Sequence, residues 1–180
     1  MELIKSLHSI RQAIVIDLAS SQKKQKKSSD PDYTVIMRGG MQYRGNIGKL
    51  FVLDVQRFRE KAVKRNKRII EYLHEYSAPA YAEAFGAYKD TYEILKDTLM
   101  GVRTVLPLNL PGDKEMKADP LRPLFEAGNI YMVKAPWNSD FIDECAVFPN
   151  GIHDDMVDCV AMLYHIFKKK PRVHSKNIIY

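Results

Sequence analysis

Apolar positions in this chain follow two rhythms, unbroken runs in the first half and a period of three to four residues near the end. Ala13-Ile14-Val15-Ile16 is a mostly β-branched run closed by Asp17, the pattern of a buried strand whose last residue reaches solvent at the sheet's edge. Tyr33 to Arg38 predicts a second strand, Gly39-Gly40 a turn, and Lys49 to Val55 a third strand, together an antiparallel meander. Then come a helix from Phe58 to Tyr76, a short strand at Pro79 to Glu83, a helix from Gly86 to Leu99 and a strand at Val102 to Leu106. Prolines, Gly112 and mixed charges between Pro107 and Asp119 predict a long functional loop. Pro120 to Ala127 reads as helix and Ile130 to Val133 as strand, with closing helices at Trp137 to Phe148 and Asp155 to Phe167. No internal repeat or linker divides the chain, which predicts one domain over residues 1–180. Strands first and alternating helices and strands afterwards predict an α/β domain with a mixed central sheet flanked by helices.

The densest chemistry lies where the last loop turns into the last helix. Pro149-Asn150-Gly151 makes a turn, and Met156, Val160, Leu163 and Phe167 then recur at helical spacing. His153, Asp154 and Asp155 fall at the junction. Carboxylates in a first helical turn are favoured by the helix dipole and stay ionised, as a ligand for a hard divalent cation must. One helix cap needs a single acid, whereas this junction carries two with a histidine.

Acids also close three apolar runs, namely Asp17, Asp54 after Leu50-Phe51-Val52-Leu53, and Glu83 after Ala80-Tyr81-Ala82. Neighbouring strands would bring two of them together, and Asp155 would complete a carboxylate cluster for Mg²⁺ or Mn²⁺. Two such ions about 4 Å apart activate a water and stabilise the leaving oxygen in phosphodiester hydrolysis. Strand ends alone do not separate Asp54 from Glu83, and Asp54 is equally placed to pair with Arg57 or Arg59. His153 is placed to bind metal, shuttle a proton or bond the turn, and Asp158 to support the ligands or face solvent. Zinc-ligand spacing, an EF-hand calcium loop, a phosphate-binding Gly-x-x-x-x-Gly-Lys loop and a Gly-x-Ser-x-Gly elbow are all missing from the sequence.

Charge narrows the partners. The net charge is +6 with a pI near 9.2, and 46% of residues are hydrophobic. Lys23, Lys24, Lys26 and Lys27 cluster in one segment and Lys168, Lys169, Lys170 and Arg172 in another, which points to a polyanion. Arg57, Lys61, Lys64, Arg65 and Arg68 form a third basic group along a helical stripe, either a further polyanion footprint or only a solvated face. Cys145 and Cys159 have no Cys-x-x-Cys spacing and are expected to be reduced, Cys159 as a small core residue. Neither a bilayer-length apolar stretch nor a signal-peptide pattern is present, so no membrane partner is expected.

Taken in order, Ile14-Val15-Ile16-Asp17, Ser29-Asp30-Pro31-Asp32-Tyr33-Thr34, Leu50 to Val55, Tyr81-Ala82-Glu83 with Gly86, and Pro120-Leu121 through Gly128 resemble one family. Ala135-Pro136-Trp137, Phe141, Glu144, Phe148 to Gly151 and His153 to Asp158 extend the likeness. The family is the C-terminal nuclease domain of tailed-phage terminase large subunits, of the ribonuclease H-like (retroviral integrase) superfamily. The resemblance implies metal ligation by Asp17, Glu83 and Asp155, assisted by Asp154 and His153, with Asp32 at the rim and Glu83 favoured over Asp54. It implies two-ion chemistry with Mg²⁺ or Mn²⁺ and DNA contacts from Lys114 and Lys117, to which the charge pattern adds Lys23, Lys24, Lys26 and Lys27. Its implied partners are double-stranded DNA, a terminase ATPase domain that this sequence lacks, a small terminase subunit and the portal protein. Its implied setting is the cytoplasm of an infected or lysogenic bacterium, where it would cut concatemeric phage DNA during packaging. Two alternatives stay open, a resolvase- or transposase-like nuclease of the same fold, and a non-catalytic DNA-binding or portal-docking module.

Overall fold

The computed structural model describes residues 10–18, 33–44, 47–84 and 89–168. Lys23, Lys24, Lys26, Lys27, Asp32, Gly86, Lys169, Lys170 and Arg172 lie outside them.

The strands are β1 (Arg11–Asp17), β2 (Thr34–Arg44), β3 (Ile47–Phe58), β4 (Ala80–Glu83), β5 (Val105–Leu108) and β6 (Ile130–Met132). They form a single sheet in the order β5-β4-β1-β2-β3-β6. The β1-β2-β3 meander is antiparallel, and β4, β5 and β6 join in parallel. The helices are α1 (Ala62–Glu75), α2 (Lys89–Thr98), α3 (Lys114–Ala118), α4 (Arg122–Glu126), α5 (Asn138–Val147) and α6 (Asp155–Phe167).

The unbroken apolar run of β1 is explained by cover on both faces. On one face Ile14, Ile16 and Ile36 pack with Ile69 and Leu73 of α1 and Leu95 of α2. On the other, Val15, Met37, Leu50 and Val52 pack against Met156, Val160 and Leu163 of α6 and Phe141 of α5. Helix α6 is buried along most of its length because α3 and α5 cover the side that the sheet does not.

Several elements differ from the sequence-based expectations. Gly39 and Gly40 do not turn the chain; β2 runs through them and stays paired with β3 as far as Arg44 opposite Ile47. Their lack of a side chain serves close approach. A Cβ on Gly39 would stand 2.5 Å from Leu163 Cδ1 and 2.6 Å from the Phe51 carbonyl oxygen. The register shifts beside Gly39, so that Arg38 faces Asp54 while Gly39 faces Val52 and Leu53 is extra. Phe58 ends β3 rather than starting α1, which places Arg57 on a strand, and Arg65 is buried within α1 instead of lying on a solvated stripe. Strand β5 begins three residues later than expected and includes Pro107, tolerated because β5 is an edge strand. The expected loop from Pro107 to Asp119 contains α3, whose N-cap Asp113 accepts a hydrogen bond from the Met116 N–H at 2.9 Å.

Gly39→Ala is expected to lower the unfolding free energy by about 2 kcal/mol or more, because one of its two clashes is with backbone that cannot rotate away. Urea denaturation followed by circular dichroism measures this.

Candidate metal centre

Two acids are brought together by strand register. In the parallel pair β1-β4, Val15 lies opposite Tyr81 and Ile16 opposite Ala82, so the next residues on the two strands are Asp17 and Glu83. Alternation along a strand gives both the orientation of Val15 and Tyr81, toward α6, while Ile16 and Ala82 face α1 and α2. Asp17 is only 7% exposed. A backbone hydrogen bond ties it to Cys159 of α6, whose thiol pKa is pushed well up by burial and then by Asp17, Asp158 and Asp155.

The start of α6 faces these strand ends. Asp154 occupies the N-cap position without capping the helix through its side chain. Glu144 of α5 supplies that cap instead: its Oε1 accepts from the N–H groups of Met156 at 2.7 Å and Val157 at 2.9 Å. Its Oε2 lies 3.4 Å from Arg57 Nη2 as an ion pair without hydrogen-bond geometry. Burial raises the Glu144 pKa, opposed by its two backbone bonds and by Arg57. Arg57 also lies 3.5 Å from Asp155 Oδ2, and His153 Nδ1 lies 3.8 Å from the same oxygen. Tyr33 anchors this group, with Arg57 and Arg59 over its ring at 3.9 and 3.7 Å and His153 edge-on at 5.0 Å.

Asp158 follows Asp155 by one turn and completes the inner wall. Its Oδ1 is buried and has no hydrogen-bond partner among the described residues. Desolvation pushes its pKa up to about 6, Glu83 and Asp155 add to the rise, and Lys117 and Lys114 oppose it. Those lysines come from α3. Lys117 Nζ lies 3.1 Å from Glu83 Oε1, and Lys114 pairs with the Asp154 carboxylate. The structure therefore turns both lysines toward acids of the protein itself.

Asp17, Glu83, Asp154, Asp155 and Asp158 thus meet at one end of the sheet, with His153 beside them. Asp54 is not among them. The bulge beside Gly39 reverses the alternation of β3 and turns Asp54 to the α1 face, where it accepts from Tyr72 Oη at 2.9 Å. Arg57, one of the two partners expected for Asp54, goes instead to Glu144 and Asp155. The site's donors are carboxylate oxygens with one imidazole, and Asp158 adds a buried oxygen that lacks a partner among the described residues, a set whose chemistry fits a hard divalent cation. Among the described residues no three His, Cys, Asp or Glu side chains are already spaced to hold one ion.

Glu144, Arg57, Arg59 and Tyr33 had no role assigned from the sequence as supports of this centre. Glu144 does carry a signal, because it lies three residues after Phe141 on the buried face of α5, where an acid needs a partner. The tasks of Arg57 and Tyr33 depend on pairing across β2 and β3, which local spacing does not reveal.

A mixed sheet flanked by helices, with acids at the ends of its first and fourth strands and at the start of its last helix, defines a ribonuclease H-like domain. Residues 14–167 match the terminase RNase H-like domain family, and the chain belongs to that family. Its fold is similar to the large terminase nuclease of thermophilic phage G20c with bound zinc, at TM-score 0.58 and 19% identity over 88% of this chain and 82% of that one. The G20c nuclease also has structures with bound magnesium and bound cobalt. The P22 large terminase nuclease domain aligns at TM-score 0.59 and 14% identity, covering 88% of this chain and 82% of that one. The nuclease domain of the bacteriophage SPP1 large terminase with bound Mn aligns at 0.54 and 15%, covering 87% and 85%. Among curated proteins none matches the sequence. No helix among the described residues is long and apolar enough to cross a membrane.

Two measurements test the supports of this site. Glu144→Ala leaves two N–H groups of α6 without their acceptor and takes from Arg57 one of its two carboxylate partners, and is expected to cost about 3 kcal/mol in chemical denaturation. For Asp158 the folded-state pKa lies above that of an exposed carboxyl, so between about pH 4 and about pH 6 the folded chain binds a proton that the unfolded chain has lost. Stability falls as pH rises through that window. With a chelator present, Asp158→Asn is expected to match the parent's melting temperature near pH 4 and exceed it at pH 7.5, by the equivalent of up to about 3 kcal/mol.

Proposed function

We propose that this chain is a metal-dependent endonuclease that cuts concatemeric double-stranded phage DNA during genome packaging. The observation that carries the reading is the register of β1 and β4, which sets Asp17 beside Glu83 on the face that meets the start of α6. Family membership and the metal-bound nuclease relatives support it.

Asp17, Glu83 and Asp155 are the metal ligands in this reading, and Asp154 assists them. Glu83 is preferred to Asp54 because Asp54 faces α1. Mg²⁺ or Mn²⁺, two ions in the fullest form, would supply Lewis acidity, a water of lowered pKa and charge to neutralise the leaving oxygen. The chain's own side chains do the rest. Arg57 and Glu144 fix Asp155 and the start of α6, and His153, beside Asp155, takes up or delivers a proton at the reacting water or leaving oxygen. The resemblance assigns Asp32 a part at the rim, and in this reading Asp158 supports the ligands from the next turn. Lys23, Lys24, Lys26 and Lys27, together with Lys114 and Lys117, are assigned to phosphate contacts, which position DNA without reading its sequence. In this reading residues 1–180 form a single nuclease domain. The partners proposed with it are a terminase ATPase domain, a small terminase subunit and a portal protein, in the cytoplasm of the bacterial host.

A second reading is favoured by one observation. Glu83 and Asp154 are already paired with lysines, as they would be in a DNA-binding or portal-docking module that does not cut.

Plasmid cleavage with Mn²⁺, with Mg²⁺ and with EDTA separates the two. The expected result is ion-dependent cutting of linear and supercoiled duplex, reduced about 100-fold or more in folded Asp17→Asn and Asp155→Asn, since even supporting residues of metal sites often cost that much. Salt-sensitive DNA binding that survives chelation, with no cutting under either ion, would favour the docking module.

A further inference from the structure

The acids of this centre are balanced by cations that the chain supplies itself. Lys117 and Glu83 meet at 3.1 Å with side chains only 15% and 17% exposed, so this ion pair is largely shielded from water. Lys114, one turn earlier on α3, pairs with Asp154. Their spacing of three residues puts both ammonium groups on the same side of the helix. Their partners lie on separate elements, Glu83 at the end of β4 and Asp154 at the start of α6, so α3 bridges two walls of the site. Both lysines also lie near enough to Asp158 to favour its charged form. The acids are gathered at one place, yet among the described residues no three of them are spaced to hold one ion.

We propose that Lys114 and Lys117 are positioning residues that hold this centre's acids as internal counter-cations, and that a divalent ion binds by displacing them. The inference rests on the metal-site reading above and goes beyond it, because it assigns the lysines a task before any DNA arrives. An ammonium group is a compact single charge on a flexible stem, and its bond to a carboxylate is strong at short range. A divalent ion carries twice the charge and takes several carboxylate oxygens at once. Exchange therefore favours the ion, but its affinity is reduced by whatever the lysine contacts contribute. Releasing Glu83 from Lys117 and Asp154 from Lys114 frees both carboxylates to turn toward a common ion.

Competition of this kind has a distinctive sign. Removing an ordinary supporting residue weakens metal binding, whereas removing a competing cation strengthens it. The test is Mn²⁺ titration of the full chain, with free Mn²⁺ read by electron paramagnetic resonance and folded content checked by circular dichroism. Parent, Lys117→Met, Lys114→Met and Glu83→Gln are compared. The expected outcome is Mn²⁺ binding about three- to tenfold tighter in both lysine variants, the span that removing ion pairs of this strength allows, and weaker in Glu83→Gln. Lys114→Met keeps the test open if Lys117→Met fails to fold, because Lys114 is half exposed. Unchanged or weaker binding in the folded lysine variants, with Glu83→Gln still impaired, overturns the counter-cation role alone. Binding that Glu83→Gln leaves intact overturns the metal-site reading, and the lysine inference with it.

Discussion

The centre depends on the hold that Glu144 has on the first turn of α6. That helix does two jobs that pull in different directions. Its apolar side closes the core against the sheet, and its first turns place Asp154, Asp155 and Asp158 at the strand ends. A buried helix start leaves N–H groups that need acceptors, and an N-cap aspartate would ordinarily serve. Glu144 accepts two of them, which spares the Asp154 carboxylate from capping and leaves it at the site, where Lys114 pairs with it. Its second oxygen faces Arg57, which reaches on to Asp155, so one buried acid from α5 links helix cap, strand and site.

Electrostatics at this end of the sheet follow from crowding acids where water is scarce. Desolvation is the largest effect on Asp158 and on Glu144, and neighbouring carboxylates add to it. Positive charge has to come from somewhere. Arg57 supplies it beside Asp155, while Lys114 and Lys117 supply it for Asp154 and Glu83. The arginine is the fixed member, stacked on Tyr33 and set on a strand, whereas the lysines reach in from a short helix on flexible stems.

Much of this was legible in the sequence. The run before Asp17 is apolar at every position because β1 lies mid-sheet under two layers, and the period of α6 appears because its buried stripe runs the length of the helix. What escaped depends on pairing. Gly39-Gly40 reads as a turn because a turn and a close approach call for the same residue, and only the packing of Leu163 separates them. Asp54 and Glu83 read alike as strand-end acids because the extra Leu53, which reverses the faces of β3, leaves no local mark. Lys114 and Lys117 read as loop residues because α3 is barely more than one turn long. The roles of Asp32 and of the lysines between Lys23 and Lys27 belong to segments outside the described residues.

The parallel pairing of β1 with β4 also ties the cluster of acids to a long-range contact. The β1-β2-β3 meander needs only contacts between neighbours in sequence, whereas Asp17 meets Glu83 only after the chain has passed through α1 and returned beside β1. Closing a loop of that range carries an entropy cost that the meander's neighbouring strands do not share to the same extent. The same pairing also brings two acids of like charge side by side, and Lys117 of α3 meets one of them, Glu83. The cluster of acids therefore exists only where that long-range pairing is intact, and a chain opened at β4 would keep the meander's local contacts without it.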